Sequence, residues 1–437
     1  MTNLKQVVDK YIEKLGIGED IKSSTIREIV RLVNLIEAET GIKYIRMEMG
    51  VPGLPSPQIM INAEIEAIKS GVTSIYPMIE GDAQLKKEIA RFAKLFINLD
   101  VSEENCIPAV GSMQSAMALF LTVNRLYEKQ NKILFIDPGF PVQKQQCNVL
   151  GIDYTTFDIY DFRGEKLKDK LESYLKTGDY SSVIYSTPNN PSWINFTEKE
   201  LKIIGELCTK YDVIALEDLA YFGMDFRYDY SQPGKEPFHP TVANYTKNYV
   251  LMLSSSKIFN FAGERVASII VSPYIFDKIY PGLKRNFKIP KFGYSLIYGS
   301  LYTLSAGVNH SGQIAYAKIL KAVNDGEYNF VEGVKPYAEK ANVMKRLFFE
   351  NGFKLVYDKD EDQPISDGFY FTLSYPGMDG NTLMKEMLYH GISAISLKIT
   401  GSDRHEGVRA CVSQVKPEQF EDLEQRLKEF NLKNKNK

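Results

Sequence analysis

The chain has 437 residues, a formal net charge of −2, and 25% charged against 44% hydrophobic residues. A near-neutral charge gives no electrostatic basis for binding nucleic acid or an anionic membrane. No apolar run approaches the roughly 20 residues of a membrane span.

The N-terminal "MTNLKQVVDKYIEKLGIGED" is polar, helical in pattern and lacks the apolar core of a signal peptide, so a cytoplasmic protein is expected. Residues 24–39 place Ile26, Val30, Val33 and Ile36 at helical spacing. "GDAQLKKEIARFAKLF" reads as a second helix, capped by Asp82, with Leu85, Ile89 and Phe92 on its inner face. From about residue 105, short apolar runs alternate with helical stretches: 132–137, 182–187, 212–218, 249–255 and 267–272 read as strands, and 198–211 as a crossover helix. Several runs are continuous rather than alternating, which suits strands covered on both faces. The rhythm therefore predicts an α/β fold with a mainly parallel sheet. Residues 281–313, rich in Tyr, Gly, Lys and Ser, read as loops with a helix entry. Long helical patterns followed by strands at 368–375 and 407–413 predict a smaller α+β unit, and "NLKNKNK" reads as a disordered tail. Four cysteines (Cys106, Cys147, Cys208, Cys411) and four histidines (His239, His310, His390, His405) are scattered without CxxC or metal-ligand spacing. Reduced thiols and no zinc site are expected.

Ligands of parallel sheets gather at the carboxyl ends of the strands. Those ends carry Asp137 and Phe140 in "IDPGFP", Asn190 in "STPNNPSW", Asp218 and Tyr221 in "ALEDLAY", and Ser254, Ser256 and Lys257 in "MLSSSK". A desolvated lysine condenses with an aldehyde. A carboxylate keeps a pyridine nitrogen protonated, a phenol and an amide hydrogen-bond a ring hydroxyl, and an aromatic face stacks on the ring. Hydroxyls and an arginine hold a phosphate. That inventory suits pyridoxal 5′-phosphate, with no metal. Singly, each residue has an ordinary structural use, Asp218 as a helix cap or Arg265 as an ion-pair partner; their order along one chain carries the reading.

The chain resembles the class I/II aminotransferases, fold-type I pyridoxal-phosphate enzymes. "SSSKIFNFAGERVAS" resembles the family's lysine segment, with Ser254, Ser256, Lys257 and Arg265 in register and Ala267 where the family has glycine. "STPNNPSW" resembles N-P-x-N-P-T-G with Ser192 and Trp193 in place of Thr-Gly, and "DPGFP" resembles D-P-G-Y-P. "MGVPGLP", "YPMIEGDAQLKKEIA", "VGSMQSAMALF" and "GVRACVS" resemble four further family segments, in order, across roughly residues 45–425. The resemblance implies a seven-stranded, mainly parallel sheet in a large domain (66–324). It also implies an N-terminal arm with part of the small domain (1–65) and a C-terminal small domain (325–437). It implies Lys257 as the Schiff-base lysine, with Asp218 and Tyr221 beside it in the chemistry, and Asn190 and Phe140 on the cofactor ring. Ser112, Met113, Gln114, Ser254, Ser256 and Arg265 are implied at the phosphate, with Tyr76 from a partner chain in a homodimer that shares its sites. Gly50, Asn190 and Arg409 are implied at the substrate carboxylate, the substrates being an α-amino acid and a 2-oxo acid. Trp193 is expected to pack outside the pocket; Arg285 and Lys291 are the candidates for a second cation facing a dicarboxylate substrate, and Arg404 or the 281–313 region is the alternative to Arg409 at the α-carboxylate. A carbon–sulfur β-lyase would use the same residues. A non-catalytic cofactor-binding regulator is disfavoured, because only about 45 residues precede the fold and they carry no net positive charge to favour DNA.

Overall fold

Two helices open the chain in the computed structural model, which describes residues 4–435: α1, Leu4–Lys14, and α2, Ile26–Thr40. A capping box starts α2, Thr25 Oγ1 accepting from Glu28 N while the Glu28 carboxylate accepts from Thr25 N, and Gly41 at φ +72° ends it. Its buried stripe is Ile29, Leu32, Val33 and Ile36. The expected face is thus rotated: Ile26 and Val30 lie on its flank, half-buried, because 29/32/33/36 is the coherent i, i+3, i+4, i+7 set. Residues 1–3 of the N-terminal helical pattern, and the last two of the expected tail, lie outside the described residues. Next come α3, Gln58–Lys69, and α4, Ala83–Phe92; Asp82 caps α4 by accepting from Leu85 N at 2.9 Å, and Leu85, Ile89 and Phe92 face inward as expected.

The large sheet is built in the order β1 Cys106–Ala109, α5 Gly111–Val123, β2 Lys132–Asp137, α6 Pro141–Leu150, β3 Tyr154–Asp158, α7 Lys166–Leu175, β4 Tyr180–Ser186, α8 Glu198–Lys210, β5 Ile214–Leu219, β6 Tyr249–Ser254 and β7 Ala267–Val271. Its spatial order is β1-β7-β6-β5-β4-β2-β3, and β7 alone runs antiparallel to its neighbours. Seven strands, mostly parallel, match the expected architecture. The two that the apolar rhythm missed, β1 and β3, are the two edges. "CIPA" carries Pro108, tolerated at an edge, and "YTTFD" is half-buried over its first three residues, so neither shows the continuous apolar run of a central strand. Apolar clusters cover both faces.

Residues 281–313 are more helical than expected. A short turn at Pro281–Arg285 and an almost continuous helical stretch over 292–304 precede α9, His310–Asn324. Low-propensity tyrosines, glycines and serines hide that helix, which is held instead by burying Phe292, Leu296, Ile297 and Leu301 in the same apolar cluster as α5.

The remaining chain gives α10 Pro336–Glu350, β8 Lys354–Leu355, β9 Tyr370–Ser374, α11 Gly380–Tyr389, β10 Ile395–Ser396, β11 Val408–Cys411 and α12 Phe420–Asn434. The small sheet is antiparallel, in the order β10-β11-β9-β8. The expected disordered tail is a correction: α12 runs through Asn434, because Leu423, Leu427 and Phe430 pack one face of it into the core. The N-terminal segment joins this half of the molecule, Ile45–Arg46 pairing in parallel with Ile392–Ser393. No helix of the described residues is long and apolar enough to cross a membrane.

Candidate active site

The carboxyl ends of β2, β4, β5 and β6 open on one edge of the large sheet. Because β7 is antiparallel, its first residues arrive at that same edge, and β1 delivers the N-terminus of α5 there. One topological fact therefore gathers segments near residues 112, 140, 190, 218, 257 and 265.

Lys257 sits in a helical turn, Ser255–Ile258, directly after β6, and Ser254 Oγ accepts from Ser256 N at 3.2 Å. Its Nζ donates to the Gly50 carbonyl and stands 5.0 Å from the centre of the Phe369 ring. Desolvation, with Arg409 and Arg265 nearby, lowers its pKa to about 8, so about a tenth is neutral amine at pH 7. Asp218 is buried at the end of β5, accepting from Gln143 Nε2 at 3.0 Å and Ala220 N at 3.2 Å; burial raises its pKa to about 6. An ionised carboxylate there has no cation beside it among the described residues.

Asn190 lies in the loop after β4. Asn189 shapes that loop, its Oδ1 accepting from Ser192 N and Oγ and its Nδ2 donating to the Pro138 carbonyl. Asn190 Oδ1 accepts from Arg409 Nη1 at 3.2 Å, and Arg409 Nη2 donates to the Glu48 carbonyl at 2.5 Å. Arg409 is 1% exposed on β11, a buried cation whose Nε has no partner among the described residues. Arg285, Lys291 and Arg404 are instead engaged at the surface, with Glu128, Asp277 and Asp161. The Tyr221 hydroxyl meets the Tyr370 hydroxyl at 2.7 Å.

At the start of α5, Gly111 takes φ +68°, and a Cβ there would lie 2.4 Å from the Arg265 guanidinium. Close approach of the arginine to the helix N-terminus thus requires glycine. Ser112 Oγ is buried without a partner among the described residues, beside the free backbone N–H groups of the first turn, where Ser112, Met113 and Gln114 stand. This is a cradle for an anion. Phe140 is half-buried at the N-terminus of α6. Gly50 has no room for a side chain, since a Cβ would fall 2.1 Å from the Tyr370 hydroxyl oxygen. Tyr76 stands outside this cluster, 86% exposed, on an open cavity of about 630 Å³ between residues 72–77 and 305–311.

Trp193 packs against the tyrosines of this cluster. It is fully buried, donates from Nε1 to Ser366 Oγ at 3.1 Å and sits edge-on to Tyr221 and Tyr370. Its φ is +64°, a left-handed conformation that is costly for a bulky residue, and Gly368 makes the room, since a Cβ there would lie 2.1 Å from the indole. Three contributors were not singled out in the sequence. Gln143 and Tyr370 look like ordinary helix and strand residues. Gly111 carried a signal, a glycine at a strand-to-helix turn.

Solved aminotransferase structures share this fold. Alanine aminotransferase from Pyrococcus furiosus superposes with a TM-score of 0.76 at 18% identity, covering 94% of this chain and 97% of that one. The chain belongs to the aminotransferase class I and II family, whose model matches residues 43–427. A probable aspartate aminotransferase of Methanocaldococcus jannaschii is 24% identical over 259 residues, 58% of this chain; the chain spans 62% of that protein's length. A (5-formylfuran-3-yl)methyl phosphate transaminase of the same organism is 23% identical over 415 residues, covering 94% of this chain and 97% of that one.

The Asp218 environment predicts a pH-dependent cost. Its folded pKa, about 6, lies above the ordinary 3.8, so folding is favoured when it is protonated and penalised as pH rises through 6. Asp218→Asn should therefore stabilise the cofactor-free protein against urea at pH 8, and the gain should vanish as pH falls below about 4. A stability difference independent of pH would show that burial does not tune this carboxyl.

Proposed function

We propose that the protein is a pyridoxal-phosphate-dependent aminotransferase that moves an amino group between an α-amino acid and a 2-oxo acid. The observation that supports it best is the convergence of Lys257, Asp218, Asn190, Tyr221 and the Gly111–Arg265 cradle on one sheet edge. Pyridoxal phosphate, when bound, supplies an aldehyde that condenses with amines and a ring that takes up the electron pair of a broken Cα–H bond.

The cradle fits its phosphate: Ser112 Oγ, the first N–H groups of α5 through Met113 and Gln114, Ser254, Ser256 and Arg265 would hold it. Asp218 would hold the ring nitrogen protonated, gaining the cation its buried site lacks, with Phe140 against the ring face and Asn190 and Tyr221 at the ring hydroxyl. Lys257 Nζ would hold the aldehyde and, once freed by the substrate amine, would take up and give back the proton at the substrate Cα. A pKa near 8 keeps that nitrogen basic while easing loss of its own proton. Arg409 grips the α-carboxylate in place of its contact with Asn190, with the backbone at Gly50 beside it. Tyr76 and Arg265 are both exposed in one chain, which fits a homodimer in which each Tyr76 completes the other's phosphate site. The large domain is taken to end with α9 at Asn324, the arm and C-terminal domain lying outside 66–324. Four free, buried cysteines suit a reducing cytoplasm.

Borohydride reduction of the enzyme loaded with pyridoxal phosphate should fix the adduct on Lys257, and a panel of amino acids with 2-oxoglutarate or pyruvate should find the donor. An adduct on another lysine removes the assignment, and pyruvate with ammonia released without an acceptor marks elimination instead. Arg409→Lys should weaken every α-amino acid alike, by on the order of 2–5 kcal/mol in kcat/KM, since an ammonium cannot form the two parallel bonds. Unchanged kinetics would make Arg409 structural. Mixing Lys257→Ala chains with Tyr76→Ala chains should restore activity above either alone, through hybrids holding one intact site; a fully active monomer contradicts sharing.

A further inference from the structure

Tyr370, on β9, joins the two ends of the site. Its hydroxyl is 2.7 Å from the Tyr221 hydroxyl, and the Arg409 guanidinium lies over its ring, 4.6 Å from the centre. The same hydroxyl fills the space that a side chain at position 50 would need. Trp193 and Phe369 hold the ring edge-on, with centroids 6.1 and 5.0 Å away, and the residue is 2% exposed. A ring fixed on so many sides has one place to put its O–H.

Two buried phenols at this distance share one hydrogen bond, so one donates and the other keeps its proton for a second acceptor. The direction follows from the charges that face the pair. Arg409 and Cys411 come from β11, Tyr337 from α10, and Lys257 stands across Phe369. Of these, Arg409 is the permanent cation at ring distance. Burial raises both phenols above their ordinary range and Arg409 pulls both back, but the pull is greater on Tyr370, whose ring the guanidinium covers. The more acidic phenol donates, so Tyr370 donates to Tyr221, and the Tyr221 O–H is left free to donate into the site.

We propose that Tyr370 is a positioning residue: it orients the Tyr221 hydroxyl toward the cofactor ring and couples it to whether a carboxylate is paired with Arg409. This inference rests on the aminotransferase reading above. A carboxylate arriving at Arg409 weakens the field on Tyr370, so Tyr370 donates less strongly and Tyr221 becomes a weaker donor in turn. Occupancy of the carboxylate end is thereby felt at the ring end with no side chain moving.

The test is a pH titration of the visible absorption band of the enzyme reconstituted with pyridoxal phosphate. Tyr370→Phe keeps the ring and removes the donor. Its midpoint should rise by roughly half a unit to one unit, the size one hydrogen bond supplies, because a Tyr221 without its donor stabilises the anionic ring oxygen less. Tyr221→Phe should raise the midpoint too, and Tyr370→Phe should add nothing in that background. Propionate, occupying Arg409 without reacting, should move the wild-type midpoint and move that of Tyr370→Phe less. An unchanged midpoint in Tyr370→Phe, an equal shift in both backgrounds, or an equal propionate response would overturn the coupling. A protein that develops no visible band in any form would instead overturn the aminotransferase reading itself.

Discussion

A buried guanidinium is costly unless its hydrogen bonds are met, and meeting them at Arg409 takes three parts of the chain. The arginine belongs to the small sheet, its carbonyl partner Glu48 to the N-terminal segment, and its amide partner Asn190 to a loop of the large sheet. The tyrosine ring beneath it is on the neighbouring strand of its own sheet. The N-terminal segment is tied to the same half by a parallel strand pair at Ile45–Arg46, and Arg46 is neutralised by buried Glu48 at 2.7 Å. The pocket exists where these parts meet, which is why neither sheet alone would form it.

Desolvation then tunes what the meeting point contains. It pushes the Lys257 amine down and the Asp218 carboxyl up, and it holds the Tyr221 and Tyr370 phenols neutral. One cause, removal of water, pushes groups of opposite sign toward their neutral forms and brings a lysine and an aspartate to within reach of neutral pH. Backbone strain reaches the same rim: Trp193 and Arg265 both sit at positive φ, in the loop after β4 and the entry to β7, as Asn98, Asp212, Asn260 and Glu361 do at other turns. Residues held in such conformations are kept there by surrounding packing, and they place the indole and the guanidinium where regular strand ends would not.

What was legible in the sequence followed burial. The central strands announced themselves as continuous apolar runs, and the lysine, carboxylate, amide and phenol at their ends were found from those runs. The edge strands β1 and β3 were silent because an edge needs no such run. The helical stretch over 292–304 was silent because tertiary packing, rather than propensity, holds it. Within the site, motif residues were readable and their supports were not. Gln143 acts through Asp218 and Tyr370 through Tyr221, and each occupies a helix or strand position that any packed residue fills. Only the folded chain brings residue 370 to residue 221.

Trp193 and Gly368 are two halves of one fitted shape, a full indole and the absence of a Cβ, 175 positions apart in the chain and in contact behind Tyr221. Neither can drift by itself. A larger residue at 368 has nowhere to go while the indole stands, and a smaller one at 193 leaves a void against the Tyr221 phenol. Among related chains the two positions should therefore change hands together, so that the pair, rather than either letter, is the inherited unit.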